Sequence, residues 1–514
     1  MPNATRVVRN LYRDSVSLMQ LADAVSKLPG VAQASVLMAS AANLGLMRDA
    51  GLVAGAVDAG ANDLLIAVRA KSEAALAAAL DHAERALKEE PRAAAGGGPA
   101  ELPPRSIEMA LAAAPGANLA LVSTPGEYAA AEAMKALRLG LHVMLFSDNV
   151  SLEDEAALKA FARDRGLLVM GPDCGTAILN GVPLAFANVV RRGPIGLVGA
   201  SGTGLQQVSA LVDRLGLGVS QAIGTGSHDL HDAVGGTTMH QGIERLAADA
   251  ATRVIVLVSK PAAPRVAQSV LAAAGRTGKP VVVCFVGADP RTIRGRNLHA
   301  AHTLEDAARA AVALARGRKP SGRRPSPPRA PRIGLDAGQR YVRGLYSGGT
   351  FCYEASLLLT EALGRVWSNA PVDAAGRIDD LWHSREHTVI DLGDDVFTRG
   401  RPHPMIDHRL RNERILQEAA DPAVAVILFD VVLGHGAHSD PAAEMAPAIA
   451  AARARAARRK RRIAFVGFVC GTAGDPQSLA RQEAALGKAG VLLAASNAAA
   501  VRLAARICSA RSPR

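Results

Sequence analysis

The run Ile195-Gly-Leu-Val-Gly-Ala-Ser201-Gly202-Thr203-Gly204 reads as a buried strand that passes straight into a helix, predicted over Leu205 to Leu215. At such a turn the first N–H groups of the helix have no acceptors, and the helix dipole adds partial positive charge. The turn is therefore suited to an anion, with Gly allowing close approach and the hydroxyls adding donors. Two later segments have the same form. Leu428-Phe-Asp430-Val-Val-Leu-Gly434-His435-Gly436-Ala437-His438-Ser439-Asp440-Pro441 is strand, Gly loop and helix, with Ser439 or Asp440 as cap and Pro441 in the first turn. Tyr346-Ser347-Gly348-Gly349-Thr350 precedes a helix predicted over Tyr353 to Leu363. The anion-binding candidates are thus Ser201, Gly202, Thr203, Gly204, Gly348, Gly349, Thr350, Gly434, Gly436 and Ser439. Helix N-termini converging on one point would hold a phosphate between them. The alternative for each turn is a capped Gly-rich connection that holds no ligand.

The rest of the chain fits an α/β fold class. Aromatic residues are only 3% of the 514, so the cores must be built from Ala, Val, Leu and Ile, which suits helices packed on parallel sheets. The length predicts three or four domains. Residues 1–90 read as a small α+β N-terminal domain, followed by a Pro/Gly/Ala linker at 91–104. Residues 105–190 read as a Rossmann-like domain, with strands at Leu119–Val122, His142–Phe146 and Leu167–Met170 separated by helices. Residues 193–317 and 333–510 read as two further α/β domains, separated by a Pro/Arg/Ser linker at 319–332. The polar segment 377–404 reads as a functional loop region.

Composition excludes several classes. The net charge of +12 is mostly Arg, much of it in 318–332 and 453–462. Few aromatics lie between these charges and no nucleic-acid motif is present, so no nucleic-acid partner is expected. A basic surface suits small anionic metabolites. The five cysteines are scattered and never in CxxC spacing, which argues against disulfides and zinc and for a reducing cytoplasm. His228, His231 and His240 have no metal-ligand spacing, so no metal is expected. Met1 to Asp14 has no apolar signal core and no apolar run reaches about 20 residues, so no membrane association is expected.

The runs Gly171-Pro-Asp-Cys-Gly-Thr176, Gly193 to Thr203, Gly216-Leu-Gly and Ile223-Gly224-Thr-Gly226 resemble the α subunit of succinyl-CoA synthetase, and Val424 to Asn497 resembles the carboxy-terminal domain of its β subunit. The resemblance implies a Rossmann-like CoA-binding domain and two flavodoxin-like ligase domains. It also implies that two helix N-termini, beginning at Ser201 and near Ser439, face a shared phosphate. Gly171 to Asn188, Ser259-Lys260-Pro261, Gly344 to Thr350, Ile390 to Asp395 and Gly400 to Asp407 are similar to the FdrA family over nearly the whole chain. Membership there implies either acyl-CoA synthetase chemistry or the large component of oxamate carbamoyltransferase. The latter converts oxalurate and phosphate to oxamate and carbamoyl phosphate in allantoin breakdown, together with two other subunits.

Two departures from the synthetase matter. The linker at 319–332 leaves no room for a nucleotide-binding domain, and the phosphohistidine loop is replaced by Arg294 to His302, where His299 has lost its flanking glycines. The carboxylate that orients the phosphohistidine is replaced around Lys260, a residue suited to an anion. The catalytic candidates are Lys260, Arg401, whose fork can clamp a carboxylate, and His403 beside it. Asp173, Cys174, Gly175 and Thr176 form a candidate substrate loop in which Cys174 reads more readily as a packed thiol than as a nucleophile. Three functions follow. The first is carbamoyl transfer, with phosphate attacking the carbonyl directly and no cofactor required. The second is an acyl-CoA ligase subunit that binds CoA and works with a separate nucleotide-binding partner. The third is a non-catalytic metabolite-sensing subunit.

Overall fold

Apolar runs without polar alternation become the inner strands of parallel sheets, because both of their faces are covered. Val254–Ser259, Val281–Phe285 and Val424–Val432 are such runs, and every residue in them is buried. The computed structural model describes residues 1–13, 15–88, 104–321, 330–331, 333–398 and 401–509. The expected linkers at 91–104 and 319–332 lie largely outside them. The chain divides into two units. The first comprises Met1–Ala117, Ser123–Pro125 and Asp394–Asp407; the second comprises Asn118–Val122, Gly126–Gly393 and the chain from His408 onward.

The first unit contains β1 (Asn3–Val8), α1 (Ser15–Ser26), β2 (Val31–Met38), α2 (Ala41–Asp49), β3 (Leu64–Ala70), α3 (Glu73–Lys88) and α4 (Ile107–Ala113). Its strands form an antiparallel sheet in the order β1-β3-β2, with Thr5 and Val36 opposite Ala67 and Ile66. Central β3 serves two cores. Leu64, Ile66 and Val68 pack with Leu18, Val25 and Leu80 of α1 and α3. Leu65 and Ala67 pack on the other face with Met47 and Leu52.

The second unit opens with β4 (Leu119–Val122), α5 (Gly126–Arg138), β5 (His142–Leu145), α6 (Leu152–Arg163) and β6 (Val169–Met170). They make a three-stranded parallel sheet. A hairpin of β7 (Thr176–Leu179) and β8 (Val182–Ala185) follows. Next come β9 (Arg192–Gly199), α7 (Gly202–Arg214), β10 (Val219–Gly224), α8 (Thr237–Ala248), β11 (Val254–Ser259), α9 (Pro264–Gly275), β12 (Val281–Phe285), β13 (Leu298–Ala300) and α10 (Leu304–Ala315). These strands form one sheet in the order β13-β12-β11-β9-β10-β7-β8, so the hairpin joins this sheet although its residues lie within 105–190. Met144 and Met170 of the small sheet share a core with Val198, Ile223 and Leu257.

The last part comprises β14 (Tyr341–Tyr346), α11 (Gly349–Leu363), β15 (Trp367–Ser368), β16 (Thr388–Asp391), α12 (Asp395–Thr398, in the first unit), α13 (Arg409–Glu418), β17 (Val424–Val432), α14 (Pro441–Arg458), β18 (Ala464–Cys470), α15 (Leu479–Lys488), β19 (Val491–Ala494) and α16 (Asn497–Ser509). Its parallel sheet runs β15-β16-β14-β17-β18-β19. The strand order fixes where a ligand can sit. From β9 the chain moves to β10 on one side and then crosses to β11 on the other. From β14 it moves to β15 and β16 on one side and then crosses to β17 on the other. The carboxyl ends of β9 and β14 are therefore the switch points at which open α/β sheets bind ligands, and α7 and α11 begin there.

Candidate anion site between two helix N-termini

The starts of α7 and α11 meet. Ser201 caps α7, its Oγ accepting the Gly204 N–H at 2.9 Å. The same Oγ lies 2.6 Å from Thr350 Oγ1 of α11. Gly348 permits this closeness, since a Cβ there would lie 2.8 Å from Thr203 Cγ2. Ser201, Thr203 and Thr350 are all buried. The N–H groups of Gly202, Thr203, Gly349 and Thr350 stand in first helical turns, where no intrahelical acceptor exists. Gly202 faces the hairpin; a Cβ there would lie 3.2 Å from Thr176 Oγ1.

A buried carboxylate holds the α11 turn. Asp430 accepts the Ser347 N–H and hydroxyl at 2.8 Å each and the Gly348 N–H at 3.0 Å. Buried Arg411 pairs with Asp430 at 3.2 Å. Removing one partner of such a pair costs about 3–5 kcal/mol. Sequence reasoning did not single out Asp430, although one acidic residue inside an otherwise apolar strand was a signal. Arg411 gave none, because its partner lies on another element.

The Gly434 loop corrects an expectation. The Gly434 N–H donates to Gln477 Oε1 at 3.1 Å, and the His435 N–H donates to Ala187 O at 2.9 Å. A Cβ on Gly436 would lie 2.8 Å from the Phe186 ring. Gly434 and Gly436 therefore seat this loop against residues 185–188, and the Gly434 and His435 N–H groups are already taken. Asp440, rather than Ser439, caps α14 through the Ala443 N–H. The helix end that touches Ser201 is the start of α11, not the one near Ser439. Asn188 completes the seam, donating to Leu433 O at 2.9 Å and to Asp475 at 2.8 Å.

In the candidate substrate loop, Thr176 Oγ1 donates to Phe186 O at 2.7 Å and Gly175 O accepts the Phe186 N–H at 2.9 Å. Burial pushes the Cys174 thiol up to about 12, so it stays protonated and is no nucleophile. Burial raises the Asp173 carboxyl and the Cys352 thiol, and the charge of Lys260 opposes both shifts. Arg401 and His403 belong to the first unit. There His403 Nδ1 accepts the Met405 N–H at 3.2 Å. His299 lies in β13 rather than in a loop, and partial burial lowers its pKa. In the basic run, Arg459 and Arg461 donate to carbonyls of Ala419, Ala420 and Asp421 at the end of α13, a favourable place for cations. At the start of α5, the Asp148 and Asn149 carbonyls crowd Gly126, so main chain covers that N-terminus.

Comparison with known proteins agrees with this architecture. Residues 192–318 match the succinyl-CoA ligase-like flavodoxin domain and residues 345–507 match the CoA-ligase family. The chain is 44% identical over 494 residues to the uncharacterized protein YahF of Escherichia coli (strain K12), covering 95% of each. The chain belongs to the YahF family, within the succinyl-CoA ligase-like superfamily. It is also 29% identical over 149 residues to subunit alpha-2 of the mitochondrial ADP-forming succinate–CoA ligase of Trichomonas vaginalis. That match spans 28% of this chain and 47% of the relative, so the chain spans about half the length of that subunit. The apo dinucleotide-forming acetyl-coenzyme A synthetase 1 of Ca. Korarchaeum cryptofilum aligns over 76% of the chain and 82% of its own, at 14% identity and a TM-score of 0.32. Residues 1–103 match the AllF heavy metal-associated domain. That segment has no cysteine and a single histidine, His82, and among the described residues no group of His, Cys, Asp and Glu could hold a metal. Thiolates are the main soft-metal ligands, and this segment offers none. Among the described residues no helix is long and apolar enough to cross a membrane.

Proposed function

We propose that this member of the YahF family is a subunit of an enzyme that transfers a carbamoyl group between phosphate and an amide, as oxamate carbamoyltransferase does. The observation that carries this reading is the 2.6 Å contact between Ser201 and Thr350. It joins two helix N-termini at the switch points of two sheets, a place whose first-turn donors suit an anion. Two further facts support it. The two ligase-type matches end at 318 and resume at 345, so only 26 residues (319 to 344) lie between them and no nucleotide-binding module intervenes. The N-terminal match is to a domain named for AllF, in keeping with a place in allantoin breakdown.

In the proposed step a phosphate oxygen attacks the ureido carbonyl of oxalurate. The C–O bond forms, the C–N bond to the oxamate nitrogen breaks, and that nitrogen takes a proton as oxamate leaves. The first-turn N–H groups of α7 and α11, with the charge of Lys260, stabilise the negative charge that builds on the phosphate and the carbonyl oxygen. No protein nucleophile takes part.

The second reading is an acyl-CoA ligase subunit with a separate nucleotide-binding partner, and the CoA-ligase match favours it. The test is oxamate-dependent release of phosphate from carbamoyl phosphate by the chain purified with the subunits that accompany it. Release that needs oxamate and yields oxalurate supports transfer. No oxamate-dependent release from carbamoyl phosphate, with acyl-CoA formed from a carboxylate, CoA and a nucleotide, refutes it in favour of the ligase.

A further inference from the structure

The nitrogen that leaves with oxamate needs a proton, and in the reverse direction it must give one up. Asp173 stands where that proton has to pass. It lies just beyond the carboxyl end of β6, and its N–H donates to Ser147 O, just past β5, at 2.9 Å. Gly226, just past β10, packs against the same loop, since a Cβ there would collide with Pro172 O. Thr176, three residues on, faces the first turn of α7, its Oγ1 lying 3.2 Å from the Cβ position of Gly202. Three residues span at most about 11 Å, which bounds the separation of Asp173 and Thr176. A ureido substrate in line with a phosphate at α7 fills such a span.

Backbone conformation and solvent access single out this carboxyl. The φ of Asp173 is 55°, in the left-handed region that few residues with side chains adopt, and strain of this kind clusters at functional sites. Asp173 is exposed, so a ligand can reach it. Enough protein still surrounds it that desolvation raises its carboxyl; Asp148 adds to the rise, while a hydrogen bond from Ser227 and the charges of Lys260 and His228 oppose it. A side chain that water touches and protein still desolvates lies on the floor of a cleft, where a raised carboxyl is suited to trading a proton. The segment carrying Ser227 is held from within. Buried Lys159 donates to Thr225 O at 2.9 Å and to Asp229 at 2.7 Å, on either side of it.

We propose that Asp173 is the general acid–base of the transfer: its carboxyl gives a proton to the oxamate nitrogen as the C–N bond breaks, and the resulting carboxylate takes the proton of the attacking hydrogen phosphate. Oxalurate and hydrogen phosphate thus become oxamate and carbamoyl phosphate, with one proton moved from phosphate to nitrogen. In reverse, the carboxylate takes the proton from the oxamate nitrogen as that nitrogen attacks. The proposal rests on the carbamoyl-transfer reading above.

The chain purified with the subunits that accompany it is assayed for oxamate-dependent release of phosphate from carbamoyl phosphate. Asp173→Asn keeps the size of the side chain and an oxygen for Ser227. Its kcat is expected to fall at least about a hundredfold, with KM for carbamoyl phosphate unchanged. In the unaltered enzyme kcat should rise with pH as Asp173 loses its proton. Ser227→Ala removes a hydrogen bond that favours the carboxylate, so it is expected to move that limb to higher pH. The limb is read on chains that retain Asp173, so it does not depend on how Asp173→Asn folds. A kcat for Asp173→Asn within about tenfold of the unaltered enzyme, or a limb that Ser227→Ala leaves in place, overturns the role of Asp173 while carbamoyl transfer stands. No oxamate-dependent release by the unaltered enzyme overturns both.

Discussion

The Ser201–Thr350 contact predicts a specific non-additivity. Ser201→Ala removes the α7 cap, worth about 1 kcal/mol. It also leaves Thr350 Oγ1 without its partner, and Thr350 is 4% exposed. Orphaning a buried hydroxyl costs about 1–3 kcal/mol, so the variant should lose about 3 kcal/mol. Thr350→Val keeps the shape and removes one hydrogen bond, while Ser201 still accepts from Gly204, so it should lose about 1 kcal/mol. In the double variant no hydroxyl is orphaned, and the loss should be about 2 kcal/mol, the cap and one hydrogen bond. The double variant is then less damaged than Ser201→Ala alone, with a coupling of about 2 kcal/mol. Urea unfolding of the full chain, followed by circular dichroism, measures all four corners of the cycle. Losses that add to within about 0.5 kcal/mol would refute the contact, because independent sites behave that way.

Two other predictions follow from buried charge. Lys159 is fully buried and binds Glu155 at 2.6 Å, Asp229 at 2.7 Å and Thr225 O at 2.9 Å. Lys159→Met should cost about 3–5 kcal/mol near pH 7 and less near pH 5, where Glu155, whose pKa burial already raises, can take a proton; an equal loss at both pH values argues against the triad. Burial pushes the Glu354 carboxyl up to about 7 from 4.5, so the folded state binds the extra proton between those values. Its contribution to stability is full below about pH 4.5 and is lost as pH rises through 7, by about 3 kcal/mol. Urea titrations across that window should show this slope in the unaltered chain, and its persistence in Glu354→Gln would exclude Glu354 as the source.

The inner strands were legible because β11, β12 and β17 are apolar on both faces. Two helices start earlier than their sequence pattern indicates. The sequence predicts α7 from Leu205 and α11 from Tyr353, but they begin at Gly202 and Gly349. Glycine has poor helix propensity, but the Ser201 cap and the Asp430 clamp on Ser347 and Gly348 bring these glycines into the first turns. The β7–β8 hairpin has a signal in the sequence. Asn180-Gly181 is a two-residue turn with both φ angles positive, 51° and 84°, as a type I′ hairpin requires. The partner of Ser201 was not legible at all. Ser201 and Thr350 lie 149 residues apart, and nothing local distinguishes the Gly349 turn, which meets Ser201, from the Gly434 turn, whose N–H is taken by Gln477.

Calorimetric titration of inorganic phosphate into the full chain and into Gly202→Val tests most directly whether the start of α7 is an anion site. A side chain at Gly202 enters the space beside Thr176 Oγ1, 3.2 Å from its Cβ, and covers the first-turn N–H groups. The account predicts that the unaltered chain binds phosphate, and that the variant folds but loses at least about tenfold in affinity, the equivalent of about 1.4 kcal/mol. Equal phosphate affinity in the two proteins would contradict it.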